Sequence, residues 1–202
     1  MITGGYGVRS TLTHPEGDTR MIEGRLVALR ALREEDAEHH LRWRNDPEVV
    51  HWACAGDPTF GPATREAVGL GFERMLRLIP NESAVLTVET LTDRQVIGMV
   101  DYRDLDPWAG SVTVGITIGE RDFWGTGHGS DALGLLVDHL FGQFPLVRVQ
   151  LDTWSGNERA VRAFSKLGFQ EEGRRRSAVM VGGVRHDEVL FGMLREEWRP
   201  RG

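Results

Sequence analysis

The 202-residue sequence contains a single cysteine, Cys54, and no long apolar run. One cysteine cannot form an internal disulfide, which favours a reducing compartment such as the cytoplasm. No segment approaches the roughly 18 apolar residues of a membrane span, so no membrane partner is expected. Residues 1–20 lack the apolar core of a secretory signal and are rich in Gly, Thr and Pro. They are predicted to form a flexible tail before a single domain at 21–202.

The sequence also lacks an excess of positive charge. Its formal net charge is −6, which argues against a nucleic-acid partner and favours cationic ones. The pairs His39-His40 and His186-Asp187 are not accompanied by the Cys and His residues of a zinc site, so no metal is expected. There is no internal repeat and no low-complexity linker.

Hydrophobic periodicity predicts alternating strands and helices in a mixed α/β order. Asp36 is expected to cap the first helix, which the sequence Asn45-Asp46-Pro47 should end. A strand, a helix and a second strand follow one another in the middle of the chain. The predicted strands are Arg25–Leu29, Ala84–Thr90, Gln95–Tyr102, Ser111–Ile118, Val147–Thr153, Phe169–Arg176 and Glu188–Arg195, and the predicted helices are Asp36–Asn45, Pro62–Ile79, a helix beginning near His128, and Asn157–Leu167.

The segment FWGTGHGSDALGLL places three glycines between a predicted strand and a predicted helix. Helix N-termini attract anions, and glycines let a phosphate approach the backbone closely. A Walker loop is excluded because no Lys-Ser/Thr follows the last glycine. The spacing G-x-G-x-G also differs from the dinucleotide fingerprint G-x-G-x-x-G. The loop is therefore either a phosphate site or a turn that needs positive φ.

A second motif, NERAVRAFSKLGF, follows the next predicted strand. Together with GITIGERDFWGTGHGSDA, it resembles the GNAT superfamily of acetyl-CoA-dependent N-acetyltransferases, and in particular its RimJ/RimL-like branch. The family signature Q/R-x-x-G-x-G/A matches Trp124 to Gly129 except at its first position, which is Trp124. The segments LVALRALREEDAEHHLRWRNDPEV and GGVRHDEVLFGMLREEW are similar to the same branch, so the resemblance covers about Arg25 to Trp198.

The resemblance implies a mixed α/β (α+β) fold with a central, mostly antiparallel, twisted sheet. The sheet would have about six or seven strands, splayed between strands 4 and 5, and about four flanking helices. It also implies that backbone groups of the splayed strand hold the pantetheine arm and that loop amides bind the pyrophosphate. The residues implied to bind acetyl-CoA are Thr117, Ile118, Trp124, Gly125, Thr126, Gly127, His128, Gly129, Ser130, Asn157 and Phe164.

Acetyl transfer requires a neutral amine, so an ammonium acceptor must lose a proton to a base or to water. Asp152 matches a strand position where some protein N-terminal acetyltransferases carry a carboxylate, and Glu120 is the alternative base. Asp152 could instead pair with an arginine, and Glu120 could be solvated. Phe164 stands where the family often has a tyrosine acid. Because a thiolate has a pKa of about 8.5, it can leave without strong protonation, with solvent as the acid.

With no credible cysteine or serine nucleophile, the amine is expected to attack the thioester directly in a ternary complex. The acceptor is either a protein N-terminus, as in the ribosomal-protein branch, or a small amine such as a polyamine, an amino acid or an aminoglycoside. A CoA-binding module that has lost catalysis, as Phe164 would suggest, is the alternative outside enzymes. A homodimer is allowed.

Overall fold

The computed structural model describes residues 21–55 and 62–200. The predicted tail lies outside the described residues. The strands are β1 (Ile22–Glu23), β2 (Val27–Ala31), β3 (Ala84–Thr90), β4 (Val96–Asp106), β5 (Ser111–Ile118), β6 (Arg148–Trp154), β7 (Gln170–Val181) and β8 (Val184–Leu194). The helices are α1 (Ala37–Arg44), α2 (Pro47–Ala53), α3 (Arg65–Leu76), α4 (His128–Gln143) and α5 (Glu158–Leu167), with 3₁₀ turns at Glu34–Asp36 and Arg121–Phe123.

The described strands form one sheet in the order β1-β2-β3-β4-β5-β6-β8-β7. All neighbours are antiparallel except β5 and β6, which run parallel on either side of the α4 crossover. The predicted mixed α/β fold with a mostly antiparallel sheet is therefore confirmed. The sheet has one strand more than the seven predicted, because the two-residue β1 adds an edge strand to β2.

The predicted splay lies between β5 and β6, which are the fourth and fifth strands when β1 is not counted. The two strands pair only from Ser111 to Thr113, opposite Arg148 to Gln150. Beyond that point β5 pairs with β4 and β6 pairs with β8. The facing edges of the two strands thus diverge and offer backbone groups to an added extended segment.

The two faces of the sheet are covered by different helices. Side chains alternate along each strand, so Val112 and Val114 of β5 pack into the main core with Leu136 and Leu140 of α4. α5 adds Phe164 to the same core. Helices α1 to α3 pack on the opposite face of the sheet. The strand side chains that alternate with those facing α4 point to this second face.

A buried charge cluster fixes α1 to this second face. The prediction that the Asp36 side chain caps α1 is wrong, because that side chain makes no capping hydrogen bond. Its carboxylate accepts hydrogen bonds from Arg30 at 2.7 and 2.8 Å, from Thr87 at 2.7 Å and from the Arg33 backbone at 2.9 Å. Arg30 also binds Glu89. Burial alone would raise the pKa of Asp36, but these hydrogen bonds lower it below its ordinary value.

The described residues form five α-helices, one more than predicted, and α2 is the additional one. The sequence Asn45-Asp46-Pro47 ends α1 as expected but starts α2 at once. Asp46 Oδ1 accepts from the backbone of Glu48 at 2.9 Å and of Val49 at 3.3 Å, and Pro47 occupies the first helical position. This cap starts the helix that carries Trp52 to the end of β6.

Candidate active site

The glycine loop joins β5 to the N-terminus of α4, a helix of 16 residues. Gly125 and Gly127 have φ of 74° and 96°, so two of the three glycines satisfy the turn alternative. Gly129 differs, because a β-carbon there would lie 3.3 Å from Ile118 Cγ1. Its missing side chain lets α4 pack closely on β5. The loop thus serves as a left-handed turn, and it also presents a helix N-terminus of the kind that binds phosphate.

Side chains of the loop turn back onto the loop itself. The Thr126 hydroxyl donates to the Phe123 carbonyl at 2.7 Å and lies 2.8 Å from His128 Nδ1. The His128 ring packs edge-on against Phe123. Because both side chains are engaged inside the loop, its backbone is the part available to an anion.

The carboxylate of Asp131, in the first turn of α4, binds the start of β2. Asp131 Oδ2 accepts hydrogen bonds from the backbone amides of Arg25, Leu26 and Val27 at 3.0, 2.8 and 3.2 Å. These bonds tie the start of β2 to α4.

Trp124 fixes the end of β5. Its Nε1 donates to the Ile118 carbonyl at 2.7 Å. One of the two backbone residues implied to hold the pantetheine arm therefore already accepts a hydrogen bond there. The Arg159 guanidinium lies 4.3 Å from the Trp124 ring centroid and 5.4 Å from that of Trp52. Stacking on the two rings holds this cation beside the splay. Thr117, the other backbone residue, is partly buried on β5.

Asn157 is 7% exposed and uses both ends of its amide. Its Oδ1 accepts from the Ala160 backbone at 3.3 Å, which caps α5, and its Nδ2 donates to the Trp52 carbonyl at 3.2 Å. The cap considered from the sequence is confirmed. The same side chain also attaches α2 to the start of α5.

Phe164 lies in the core and is 7% exposed. Its ring centroid is 5.8 Å from that of Phe191 and 6.4 Å from that of Phe169, both edge-on. Within residues 21–55 and 62–200 the only tyrosine is Tyr102. Its hydroxyl donates to the Pro80 carbonyl at 2.7 Å, and burial raises its pKa to about 12. The described part of the chain thus brings no tyrosine hydroxyl to the site.

The two candidate bases have different surroundings. Glu120 Oε1 accepts from Trp43 Nε1 at 2.8 Å and also binds Arg42. Its side chain is 22% exposed, so the alternative of a solvated Glu120 is replaced by two side-chain partners. The Asp152 side chain is 43% exposed, and its Oδ1 lies 3.8 Å from an Arg103 nitrogen, beyond hydrogen-bond distance. The arginine expected for Asp152 is therefore present but makes only a long contact.

Sequence reasoning missed Asp101, which lies on β4 opposite Gly115 of β5. Its carboxylate occupies the space above Gly115 where a β-carbon would stand. Burial raises the pKa of Asp101, the charge of Asp152 raises it further, and Arg103 opposes both effects. The sequence signal was an acidic residue inside the otherwise apolar run VIGMVDY.

Aromatic side chains also gather at the end of β6. The Trp52 and Trp154 rings stack with centroids 5.7 Å apart, and His51 and His186 pack edge-on against Trp154. Sequence reasoning missed this group because its members come from α2, β6 and β8. Across the described ranges, no three His, Cys, Asp or Glu side chains converge as a metal site. None of the described helices is long and apolar enough to cross a membrane.

These features fit an elongated thioester donor with a diphosphate. The diverging edge of β5 can pair with amide groups of a pantetheine arm, and the glycine loop can hold the pyrophosphate. Asp152 lies on β6 beyond the last residue paired with β5, so its carboxylate lies beside the diverging edges.

Comparison with known proteins gives a consistent result. Residues 26–170 match the family model described as "Acetyltransferase (GNAT) domain". The chain is 28% identical over 175 residues to "Putative ribosomal N-acetyltransferase YdaF" of Bacillus subtilis (strain 168), covering 85% of this chain and 93% of that protein. It is 26% identical to "Uncharacterized N-acetyltransferase p20" of Bacillus licheniformis, with 85% and 94% covered.

The fold is similar to that of RimL, a ribosomal L7/L12 alpha-N-protein acetyltransferase solved in complex with coenzyme A. The TM-score is 0.76 at 15% identity, with 87% of this chain and 98% of that chain covered. A spermidine N-acetyltransferase from Vibrio cholerae, solved with CoA and spermine, gives 0.74 at 19% identity, with 85% and 96% covered. The chain belongs to the GNAT family of N-acetyltransferases, whose acetyl donor is acetyl-CoA.

Proposed function

We propose that the protein acetylates the N-terminal amine of a protein, by direct attack of the amine on acetyl-CoA in a ternary complex. The observation that carries this proposal is the exposed Asp152 carboxylate beside the diverging edges of β5 and β6. A carboxylate there is within reach of an amine that approaches a thioester lying between the strands.

Asp152 is the proposed base, because its carboxylate is 43% exposed and Arg103 approaches it only to 3.8 Å. It accepts a proton from the acceptor ammonium, directly or through a water molecule. Acetyl-CoA supplies the thioester carbonyl that the amine attacks. With Phe164 unable to donate a proton, the departing thiolate takes its proton from solvent.

A protein N-terminus is favoured over a small amine by two observations. The relative named as a ribosomal N-acetyltransferase matches 85% of this chain. In addition, β6 is unpaired with β5 beyond Gln150, and this edge can pair with an extended peptide. The single cysteine supports a cytoplasmic location for the same activity. A homodimer, which sedimentation would detect, is compatible with it.

The test is CoA release from acetyl-CoA with N-terminal peptides, polyamines, amino acids and aminoglycosides. Peptides without lysine and their Nα-blocked forms separate the α-amine from other amines, and intact mass identifies the product. Turnover confined to free N-termini supports the proposal, while turnover confined to small amines identifies the alternative acceptor class. Acetyl-CoA binding without turnover of any amine would identify a CoA-binding module.

Direct attack is tested by initial rates at varied concentrations of both substrates. A ternary complex gives intersecting double-reciprocal lines and no acetylated protein in the absence of acceptor. Parallel lines with an acetylated enzyme would contradict it. Cys54→Ala is the matched control and is expected to leave the pattern unchanged.

A further inference from the structure

Three charged side chains lie together on the sheet face opposite α4 and α5. Asp101 and Arg103 are two residues apart on β4, so their side chains share a face, and Asp152 lies across the splay on β6. Arg103 Nη1 donates to Asp101 Oδ1 at 2.9 Å, while Arg103 Nη2 stays 3.8 Å from Asp152 Oδ1. One guanidinium therefore faces two carboxylates and bonds to only one of them.

Two further observations explain why Asp101 holds the guanidinium more firmly. Its carboxylate is 32% exposed and lies over Gly115, whereas that of Asp152 is 43% exposed. Burial raises the pKa of Asp101, and Arg103 opposes this by stabilising the charged form. The less solvated carboxylate gains more from the shared cation, because water screens it less.

We infer that Asp101 is a positioning residue, which holds Arg103 away from Asp152 and so keeps the Asp152 carboxylate available to the acceptor ammonium. This inference rests on the proposed function of Asp152. The three groups together carry one negative charge, which matches a single ammonium ion. Asp101 itself need not touch either substrate.

The proton transfer assisted in this way is balanced without a further reactant. The acceptor ammonium gives one proton to the Asp152 carboxylate and becomes a neutral amine. The amine nitrogen then forms the bond to the thioester carbon as the carbon–sulfur bond breaks. The second amine proton and the proton on Asp152 are released to solvent, and solvent protonates the thiolate, so the products are the amide, the free thiol and one proton.

The inference predicts a rescue between two variants. In Asp101→Ala, Arg103 loses its partner and is expected to close on Asp152, where it competes with the acceptor. The KM for the amine should rise up to about fivefold, with the acetyl-CoA affinity unchanged, because an exposed ion pair contributes up to about 1 kcal/mol. Adding Arg103→Gln removes the competitor and should restore the amine KM to within about twofold of the wild type.

Two controls separate positioning from net charge and from folding. Arg148→Gln in the Asp101→Ala background restores the same net charge from another point of the same face, and should not rescue the KM. Glu172→Gln removes a carboxylate that also lies over a glycine, Gly192, and pairs with Arg148. It should leave the amine KM unchanged. Asp101→Asn keeps the side-chain shape and should give a smaller rise, which covers the case in which the alanine variant is unstable.

Calorimetry of acceptor binding with CoA present measures the same competition without turnover. Acceptor affinity should fall in Asp101→Ala and recover in the double variant. An Asp101→Ala enzyme with the wild-type amine KM, or a double variant that is no better than Asp101→Ala, would overturn the inference while the proposed function stands. Absence of turnover with every amine in the wild type would instead overturn the proposed function, and this inference with it.

Discussion

The replacement of Gly127 by alanine tests the phosphate loop most directly. Gly127 has φ of 96°, and a β-carbon there would lie 3.5 Å from Leu26 Cδ1, an ordinary contact. The cost of the substitution is therefore backbone strain, about 1–2 kcal/mol for an L-residue in a left-handed conformation. Relief of this strain would rotate the residue that precedes α4 and redirect the amides of the first turn. We expect the acetyl-CoA Kd to rise at least tenfold, or about 1.4 kcal/mol.

Gly129→Ala is the matched control in the same loop. Its β-carbon would point toward β5, 3.3 Å from the flexible Ile118 side chain. Alanine is favoured over glycine within a helix by up to about 1 kcal/mol, which offsets this close contact. We expect stability near that of the wild type and an acetyl-CoA affinity within about twofold.

Titration calorimetry with acetyl-CoA and thermal unfolding of each variant separate binding from folding. A loss of 1–2 kcal/mol corresponds to a Tm about 2–8 °C lower for a domain of this size. If Gly127→Ala is less stable yet binds acetyl-CoA with native affinity, the glycines serve only the turn and the phosphate assignment is wrong.

Three further predictions concern the chemistry and the core. Asp152→Asn should lower kcat/KM by roughly 10²–10⁴-fold with acetyl-CoA affinity unchanged, and higher pH should partly restore the rate. Glu120→Gln should show neither effect. Identical pH–rate profiles for Asp152→Asn and the wild type would contradict the base assignment. Phe164→Tyr should change kcat by less than about tenfold, whereas a hundredfold rise would mean that the missing hydroxyl limits the native enzyme. Burial lowers the pKa of His40 to about 4, so its contribution to stability is complete above about pH 6.5 and falls as the pH drops toward 4. Between pH 7 and pH 5, the free energy of unfolding measured in urea should fall by about 2 kcal/mol more in the wild type than in His40→Phe. Equal decreases in the two proteins would contradict this.

Local signals in the sequence predicted the elements around the glycine loop well. Strand β5 has the predicted bounds, Ser111–Ile118, because its apolar residues alternate cleanly against α4. Helix α5 ends at Gly168 as expected, with φ of 104°. Both depend on neighbours in sequence, which periodicity and capping rules describe.

The parts that the sequence did not predict depend on contacts between distant segments. Asp36 has the residue type of a helix cap, but Arg30 and Thr87 bind its carboxylate instead. The pair Asp46-Pro47 signals equally the end of one helix and the start of the next. Asp101 acquires its surroundings only when β4 pairs with β5 and the splay brings β6 nearby.

The same distant contacts favour Asp152 over Glu120 as the proposed base. To bind an acceptor ammonium, a carboxylate must give up part of its existing interactions. Glu120 would weaken a hydrogen bond from Trp43, a residue 5% exposed, and a buried N–H without an acceptor costs about 1–3 kcal/mol. Asp152 would weaken only a 3.8 Å contact with Arg103, whose side chain is 46% exposed, and such pairs contribute about 0–1 kcal/mol. Of the two carboxylates, that of Asp152 is therefore the less engaged, which favours it as the proposed base, and an ammonium can replace Arg103 there while Asp101 retains the guanidinium.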